Sequence, residues 1–487
     1  MKDRKRKIWF KKSVAVYCGI GILTVLLNVA AWNSTAFSDW YIANIFPVWV
    51  NTYGRVTGIF PFSVGEWMLG TGVALVALAL VFGVIWAVIG FVLLMYKIWR
   101  GRKRERNREI CKLGVDMGAL EPVGNCWGQG AEGQNRAVEL VGNCQDQGAE
   151  GSNRALEPEE NCQDQGAEGQ NRAVDSGGLR NGRLTAFWNL TRNFYKFCAW
   201  TFLMVSFVMT LNCFILYHGS TFSEHYFGPG EDEYTLVELI RLYNMVAEQC
   251  NSLAKVMERD ESGMVLYGGS IGKDGRCLDM ADMARELMRQ LGETYPQLDG
   301  YYPRPKALLS SDFMCQQHMQ GYYFPFSMEA NYNDVMHLLN IPSTMCHELA
   351  HLRGYIYEDE ANFIGYLACI QSKDAVFRYA GYLSVLNYLN NDLYKAWENN
   401  RTVYEEAALL VSPVTVDAQV WEDNIFVSQE EWDRINRKAL IDTEIVDAAA
   451  DVFIDTNLKV NGIADGAVSY SRVVKLLLQY YRHMPMD

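Results

Sequence analysis

The hydrophobic pattern along the chain predicts where it crosses a membrane. Residues 14–32, 68–95 and 197–217 form three long apolar runs without a charged side chain. A helix needs about 20 apolar residues to span a bilayer, and a buried helix of a soluble protein is rarely apolar on every side for so long. The pattern therefore predicts three transmembrane helices. The alternative for the first run is a signal peptide, but an uncleaved anchor is favoured because two further spans follow it.

Beyond the third run the pattern becomes that of amphipathic helices. Apolar residues recur at helical spacing in residues 234–257, 279–291, 362–370, 376–389 and 473–481. One extended candidate, GYYFPFSM, is interrupted by Pro325, and a strand tolerates proline only at an edge or a bend. The predicted fold class is mainly α, with three transmembrane helices followed by a mostly helical domain that contains a small edge sheet.

Charge is distributed unevenly between the two parts of the chain. Residues 1–217 carry 23 Lys+Arg and 17 Asp+Glu, whereas residues 218–487 carry 21 and 40. A segment this acidic repels polyanions, which argues against nucleic acid as a partner.

Lys and Arg cluster beside the apolar runs and predict their orientation. They precede the first run, follow the second and precede the third, whereas the loop between the first two runs contains only Arg55. Because cytoplasmic loops are rich in Lys and Arg, we expect a multi-pass cell-membrane protein with its N-terminus in the cytoplasm and everything after Tyr217 outside. The predicted parts are a basic cytoplasmic N-terminus (1–12), two transmembrane helices with a short outer loop (13–97), a cytoplasmic loop (98–196), a third transmembrane helix (197–217) and an extracytoplasmic domain (218–487).

The predicted cytoplasmic loop contains three copies of an 18-residue repeat, the first reading GNCWGQGAEGQNRAVELV. The repeats place Cys126, Cys144 and Cys162 in register. One Cys per repeat without a nearby His is poor spacing for metal ligands, and a composition rich in Gly, Gln, Asn and Glu cannot bury a core. We interpret the repeats as a low-complexity linker rather than as a metal-binding or redox segment.

The candidate chemistry lies in one stretch, TMCHELAHLRGYIYEDEAN, which contains HExxH as His347, Glu348 and His351. Residues four apart lie on one helical face, so both imidazoles can bind the same zinc ion. Glu348 follows the first histidine and can accept a proton from the water molecule that such an ion activates. The alternative is a helix with two satisfied histidines.

The residues after HExxH offer a third ligand. Gly354 would stop the helix, and the chain can then return toward the metal at Glu358, with Asn362 four residues further on one face. A carboxylate ligand and an amide that orients a ligand imidazole are a sensible pair. The alternatives are an acidic first helical turn that complements the helix dipole and Glu360 as the ligand.

HELAH followed by EDEAN resembles the zincin metallopeptidases, in particular the group whose third ligand is the glutamate of an E-x-x-x-D or E-x-x-A-N pattern. That pattern falls on Glu358 and Asn362. The runs YPRPKALLSS, GYYFPFSMEANYN, IPSTMCHELAHLRG and EDEANFIGYLAC resemble a family of bacterial membrane proteins of unassigned function, which have N-terminal spans and a zincin-like outer domain. The third ligand usually lies farther from the second His than it does here. In the compact metzincin pattern, HExxHxxGxxH, the third His falls where this chain has Tyr357.

The resemblance implies zinc as cofactor and an edge strand beside the cleft, with Tyr322, Tyr323 and Phe324 binding substrate; an ordinary aromatic core hairpin is the alternative for that strand. We therefore predict a membrane-anchored zinc metallopeptidase that acts on a peptide or protein substrate, with Glu348 as catalytic base. The alternative is a non-catalytic, zinc-stabilised sensor or assembly domain. A third hypothesis is a signalling peptidase that cuts one dedicated partner.

Overall fold

The computed structural model describes residues 2–116, 176–228, 234–272, 275–460 and 470–483. The 18-residue repeats lie outside these residues. Residues 1–78 together with 194–487 form one compact unit, and residues 79–193 form a second. The protein is mainly helical with small sheets in its C-terminal region, which confirms the predicted fold class.

Among the described residues, three helices are long and apolar enough to cross a membrane. They are α1 Lys2–Asn33, α5 Val64–Asp116 and α6 Ser176–Met209. Their candidate membrane-crossing parts are Lys12–Asn33, Val64–Glu109 and Thr185–His218. The apolar window of α5 buries none of its residues within the protein. So much uncovered apolar surface is typical of a helix that crosses a lipid bilayer.

The segment between α1 and α5 folds into the protein instead of forming an open loop. It contains α2 Thr35–Asn44, α3 Phe46–Trp49, a π-helical turn Val50–Gly54 and α4 Arg55–Thr57. Ser34 begins α2 by accepting a hydrogen bond from the Phe37 amide. Tyr41, Ile42 and Phe46 are buried in the same apolar core as the C-terminal helices. These residues therefore belong structurally to the domain that carries the candidate site.

Helices make up most of the described chain beyond residue 218. They are α7 Phe222–Tyr226, α8 Leu236–Ala254, α9 Met280–Thr294, α10 Ser311–Gln316, α11 Ile341–His351, α12 Glu358–Ile370, α13 Ala375–Asn399, α14 Arg401–Leu410, α15 Ala418–Asp423, α16 Gln429–Lys438, α17 Thr443–Val460 and α18 Tyr470–His483. The five segments with helical spacing overlap α8, α9, α12, α13 and α18. Helices α11, α12 and α13 pack against one another, α8 packs on α13, and these helices form the centre of the core.

Two small sheets complete the domain. Strands β1 Ser270–Ile271 and β2 Cys277–Leu278 form an antiparallel pair. The second sheet has the order β3-β5-β4, with β3 Lys306–Ala307, β4 Gly321–Phe324 and β5 Glu329–Tyr332. Strand β4 is antiparallel to β5 and lies at the end of the sheet. It ends at Phe324, directly before Pro325, where the expected interruption begins a turn.

A buried ion pair fixes this sheet to the start of α5. The Lys306 ammonium donates hydrogen bonds to the carbonyls of Thr57 (2.7 Å) and Phe62 (3.0 Å) and to the Glu329 carboxylate. Glu329 also accepts hydrogen bonds from the amides of Val64 (3.2 Å) and Gly65 (2.8 Å) and from the Ser327 hydroxyl (2.7 Å). A carboxylate at the N-terminus of a helix is stabilised by the helix dipole as well. The contacts tie β3 and β5 to the first turn of α5.

Candidate metal centre

The site is built on the pair of helices α11 and α12. Helix α11 has Pro342 in its first turn, where a missing amide hydrogen is harmless, and ends at His351. Gly354 follows with φ +94°, and a Cβ atom there would lie 2.6 Å from Ile42. Both the backbone conformation and the close approach therefore require glycine at this turn. The turn returns the chain so that α12 begins at Glu358, beside α11.

The two helices approach each other closely at Gly365. A Cβ atom at this position would lie 2.9 Å from the Ser343 carbonyl oxygen and 3.3 Å from the His347 amide nitrogen. Without a side chain there, the two helix backbones can lie side by side. This contact brings the first turn of α12 level with the last turns of α11.

Three side chains converge in the space between the helices. The Nε2 atoms of His347 and His351 are 3.1 Å apart. One carboxylate oxygen of Glu358 lies 3.0 Å from Nε2 of His347, and the other lies 3.9 Å from Nε2 of His351. Ligand atoms that bind one zinc ion at about 2.0–2.1 Å in tetrahedral geometry are about 3.3 Å apart. The spacing of these atoms therefore suits a small cation held among them.

The other nitrogen of each imidazole determines which atoms face the cation. Nδ1 of His351 lies 2.8 Å from the Tyr355 carbonyl oxygen, and Nδ1 of His347 lies 2.8 Å from Oδ1 of Asn362. Because both oxygens can only accept hydrogen bonds, each Nδ1 carries a hydrogen and donates. Asn362 is itself oriented because its amide donates to the Tyr388 hydroxyl at 3.2 Å. In the neutral rings both Nε2 lone pairs thus point at each other and at Glu358, an arrangement that repels itself unless a proton or metal ion lies between them.

A proton on His347 compensates this repulsion. Burial opposes charging of His347, but the hydrogen bond and charge of Glu358 outweigh it and raise the pKa of His347 to about 9. Burial, assisted by the charge on His347, lowers the pKa of His351 to about 4. Partial desolvation beside the two imidazoles would raise the pKa of Glu358, but the hydrogen bond and charge of His347 outweigh it and lower the pKa of this carboxyl to about 2. A metal ion bound to the same atoms would have to displace this proton.

Glu348 completes the cluster from the same helix. It forms with His347 and His351 a group whose candidate ligand atoms all lie within 4.8 Å of one another. The side chain is buried, the Tyr323 amide donates a hydrogen bond to its carboxylate, and burial raises the pKa of Glu348 to about 8. Its Oε2 atom has no hydrogen-bond partner within the part of the chain that the structure describes. A buried, unpaired carboxylate oxygen beside two imidazoles is the kind of exception that calls for a ligand.

The two glutamates that compete as third ligand occupy different environments. The Glu358 side chain is 56% exposed and faces both imidazoles. Glu360 is buried and accepts a hydrogen bond from the Phe222 amide, and burial raises the pKa of Glu360 to about 8. Two residues along a helix turn a side chain by about 200°. The structure accordingly brings Glu358 to the histidines and directs Glu360 into the core near α7.

The predicted substrate-binding residues lie on β4 beside the cluster. The Tyr323 ring is 6.0 Å from the His351 ring. Tyr322 and Phe324 point to the opposite face of the strand, with ring centroids 6.0 Å apart. A Cβ atom at Gly321 would lie 2.9 Å from the Glu348 carboxylate, so the strand passes directly over this residue.

Sequence reasoning did not identify several residues that support the cluster. The Tyr355 carbonyl orients His351, and the Tyr388 hydroxyl orients Asn362. A backbone carbonyl leaves no signal in residue type, and Tyr388 is 26 residues from Asn362 in the sequence. For the Tyr355 carbonyl, the clue in the sequence was the position of Tyr355 four residues after His351 and directly after a helix-stopping glycine.

The chain matches a family of known sequences over much of its length. The family described as Protein of unknown function (DUF3810) matches residues 180–478, which is more than half of the chain and includes most of α6 and all of α11 and α12. No curated protein and no solved structure matches the chain.

Proposed function

Because the chain belongs to the DUF3810 family, whose function is unknown, we propose its function from the geometry of the site: it is a membrane-anchored zinc metallopeptidase. One observation carries this proposal. The unpaired Oε2 of buried Glu348 lies in one cluster with two imidazoles whose Nε2 atoms face each other at 3.1 Å. A metal ligand set with an adjacent free carboxylate is the arrangement of a hydrolytic site.

In this proposal His347, His351 and Glu358 hold the metal. Two imidazole nitrogens and one carboxylate oxygen are a ligand set typical of catalytic zinc, which keeps its fourth position open. Asn362 and the Tyr355 carbonyl fix the orientation of the two rings through their Nδ1 hydrogens, and such contacts strengthen metal binding. The exposure of Glu358 leaves the open position reachable from solvent.

Zinc, when bound, acts as a Lewis acid that lowers the pKa of a water molecule and polarises a carbonyl group. The chain supplies the proton transfers. Glu348 takes a proton onto Oε2 as the water attacks the peptide carbonyl, and it returns that proton to the departing amine nitrogen. Burial makes this carboxylate a stronger base, and the charge of a metal ion bound beside it would keep it ionised until the water molecule gives up its proton.

Strand β4 is the proposed binding edge for an extended peptide. A terminal strand can add a peptide strand through its main-chain groups, while neighbouring side chains give specificity. Tyr322, Tyr323 and Phe324 are the side chains proposed to line this edge, and Tyr323 lies against His351. A peptide bound along this edge passes over Glu348.

The proposed location of the site is outside the cytoplasm. The distribution of Lys and Arg supports an N-terminus in the cytoplasm and a C-terminal domain on the outer side of the cell membrane. We expect a reporter fused after Tyr217 to behave as extracytoplasmic and one fused at Gly151 as cytoplasmic. The opposite pair of results would reverse the orientation of the site.

A non-catalytic zinc-stabilised sensor or assembly domain is the alternative. A structural zinc site has four protein ligands and needs no base, whereas here three ligand side chains stand beside a carboxylate with an unused oxygen. A peptidase dedicated to one signalling partner is consistent with the same site and differs only in its substrate range.

The Glu348→Gln variant tests the proposal, since it keeps the shape of the side chain and removes its basicity. The full chain in detergent should bind about one zinc ion whether position 348 is Glu or Gln, and only the wild type should cleave a broad peptide library. Glu360→Gln is the matched control, because it changes another buried carboxyl group near the site and should retain both properties. Undiminished cleavage by Glu348→Gln would exclude the proposed mechanism.

A further inference from the structure

The metal centre lies against the end of the third candidate span. Tyr323, whose ring packs on His351, also contacts the end of this span, because its hydroxyl donates a hydrogen bond to the Asn212 carbonyl at 3.1 Å. The Asn212 amide in turn donates to the Pro325 carbonyl at 2.8 Å. A single tyrosine side chain therefore separates a candidate metal ligand from the π-helical turn Thr210–Phe214 that continues α6.

A second contact ties the other candidate ligand helix to the same place. Tyr357, which directly precedes Glu358, donates a hydrogen bond from its hydroxyl to the Tyr217 carbonyl at 2.6 Å. The Tyr357 and Tyr217 rings meet edge to face at 5.5 Å. Both α12 and β4 are thus fixed to the last residues of the Thr185–His218 span.

The other two candidate spans have their ends beside the same residues, one at the end of α6 and one at strand β4. Asn28 of α1 donates a hydrogen bond to the Thr210 hydroxyl at 2.8 Å, and Phe324 packs so closely on the first turn of α5 that a Cβ atom at Gly65 would lie 2.8 Å from its ring. The exposed rings of Trp32 and Trp67 lie at these ends, where tryptophan marks the boundary between hydrocarbon and water.

The length of α6 sets the depth of the site. A crossing that begins at Phe197, directly after Lys196, takes about 20 residues and ends near Leu216. Asn212 and Tyr217 therefore lie where the helix leaves the hydrocarbon. The residues that contact them, Tyr323 and Tyr357, then lie in the interfacial layer with the histidines directly above.

We infer that the substrate of this site is a membrane-tethered polypeptide, cut close to where it leaves the bilayer. This inference rests on the proposed function. An extended chain advances about 3.3 Å per residue, so a segment that leaves the bilayer beside α6 reaches the histidines within about eight residues. Confinement to the same membrane raises the effective concentration of such a segment. The reaction is ordinary hydrolysis: water adds its oxygen to the carbonyl carbon, the C–N bond breaks, and the amine nitrogen takes up a proton.

The test compares one set of sequences with and without a membrane tether. The full chain is reconstituted into phosphatidylethanolamine–phosphatidylglycerol vesicles with a library of single-span peptides, each followed by a randomised 30-residue segment outside the bilayer. The same segments without the span are added to a parallel sample. Products are identified by mass spectrometry, and Glu348→Gln vesicles give the background.

Tethered segments should be cleaved at least about tenfold faster than untethered ones, with cuts concentrated in about the first eight residues outside the span. Equal cleavage of both libraries, or cuts spread evenly along the 30 residues, would overturn the inference and leave the peptidase proposal standing. Zinc-loaded protein that cleaves neither library would contradict the peptidase proposal itself, and the inference with it.

Discussion

Two ionic clusters lie beside the same three-stranded sheet, and they differ in whether their polar groups have hydrogen-bond partners. At the Lys306–Glu329 pair every ammonium hydrogen has an acceptor, and both carboxylate oxygens accept hydrogen bonds from backbone or side-chain donors. Nothing about this cluster calls for a further ligand, since it already has the partners that buried charges need.

In the cluster of His347, Glu348, His351 and Glu358, by contrast, the polar atoms are not all satisfied by hydrogen bonds. Two Nε2 atoms face each other at 3.1 Å, and one oxygen of Glu348 has no partner among the described residues. Buried charge alone therefore does not mark a candidate functional site. The satisfied cluster holds the sheet in place, and the unsatisfied one has a group of side chains that could hold a metal ion.

The largest expected effect is on stability, at the satisfied cluster. Lys306→Met should lower the free energy of unfolding by about 3–5 kcal/mol, because it leaves the Glu329 carboxylate buried without its cation. Denaturant unfolding of the full chain in detergent measures this. Lys255→Met is the matched control, since Lys255 pairs with Asp417 at the surface and should cost at most about 1 kcal/mol. Equal destabilisation by the two variants would show that the Lys306 pair is no anchor.

The next effect sharpens the difference between two neighbouring glutamates. Glu358→Ala should weaken zinc binding by at least about 100-fold, because it removes a carboxylate that faces both imidazoles, whereas Glu360→Ala should change it by less than about threefold. Competition with a chelator measures both affinities. Loss of zinc from Glu360→Ala with retention by Glu358→Ala would reassign the third ligand.

A smaller effect is expected from the residue that orients His347. Asn362→Ala should weaken zinc binding by about 10–100-fold without removing a ligand. Asn387→Ala is the control, since this asparagine exchanges hydrogen bonds with Asn424 at the surface. Chelator competition again gives the values, and unchanged affinity in Asn362→Ala would mean that the amide does not act on the metal through His347.

No effect on either cluster is expected from the repeat segment. Deletion of residues 124–174 should leave the zinc content unchanged and the free energy of unfolding within about 0.5 kcal/mol of the wild type, because a low-complexity segment contributes no core. Zinc analysis and denaturant unfolding of the deletion variant check this. Loss of zinc would instead assign Cys126, Cys144 and Cys162 a role in metal chemistry.

Much of the fold was predictable because its signals are local. Three uncharged apolar runs predicted the three candidate spans, and helical spacing predicted the main helices of the C-terminal domain. The i, i+4 spacing of His347 and His351 predicted that they share a helical face, and α11 brings them together. Gly354 predicted the turn after them, where its φ of +94° is observed.

The remaining features depend on contacts between distant parts of the chain. The Lys306–Glu329 pair leaves no motif, because its other partners, Thr57 and Gly65, lie before and at the start of α5. The contacts of Tyr323 with Asn212 and of Tyr357 with Tyr217 join residues more than 100 positions apart. Sequence spacing likewise left Glu358 and Glu360 as alternatives, because only the packing of α12 on α11 determines which one faces the histidines.

The zinc content of the full chain tests the proposed metal site most directly. It is measured by elemental analysis after purification without added metal. The unsatisfied cluster predicts about one zinc ion per chain, and the His347→Ala/His351→Ala double variant should contain none while its denaturant unfolding remains cooperative. A wild-type protein that neither contains nor takes up zinc would contradict the proposal that this cluster is a zinc site. A double variant with undiminished zinc would contradict it equally.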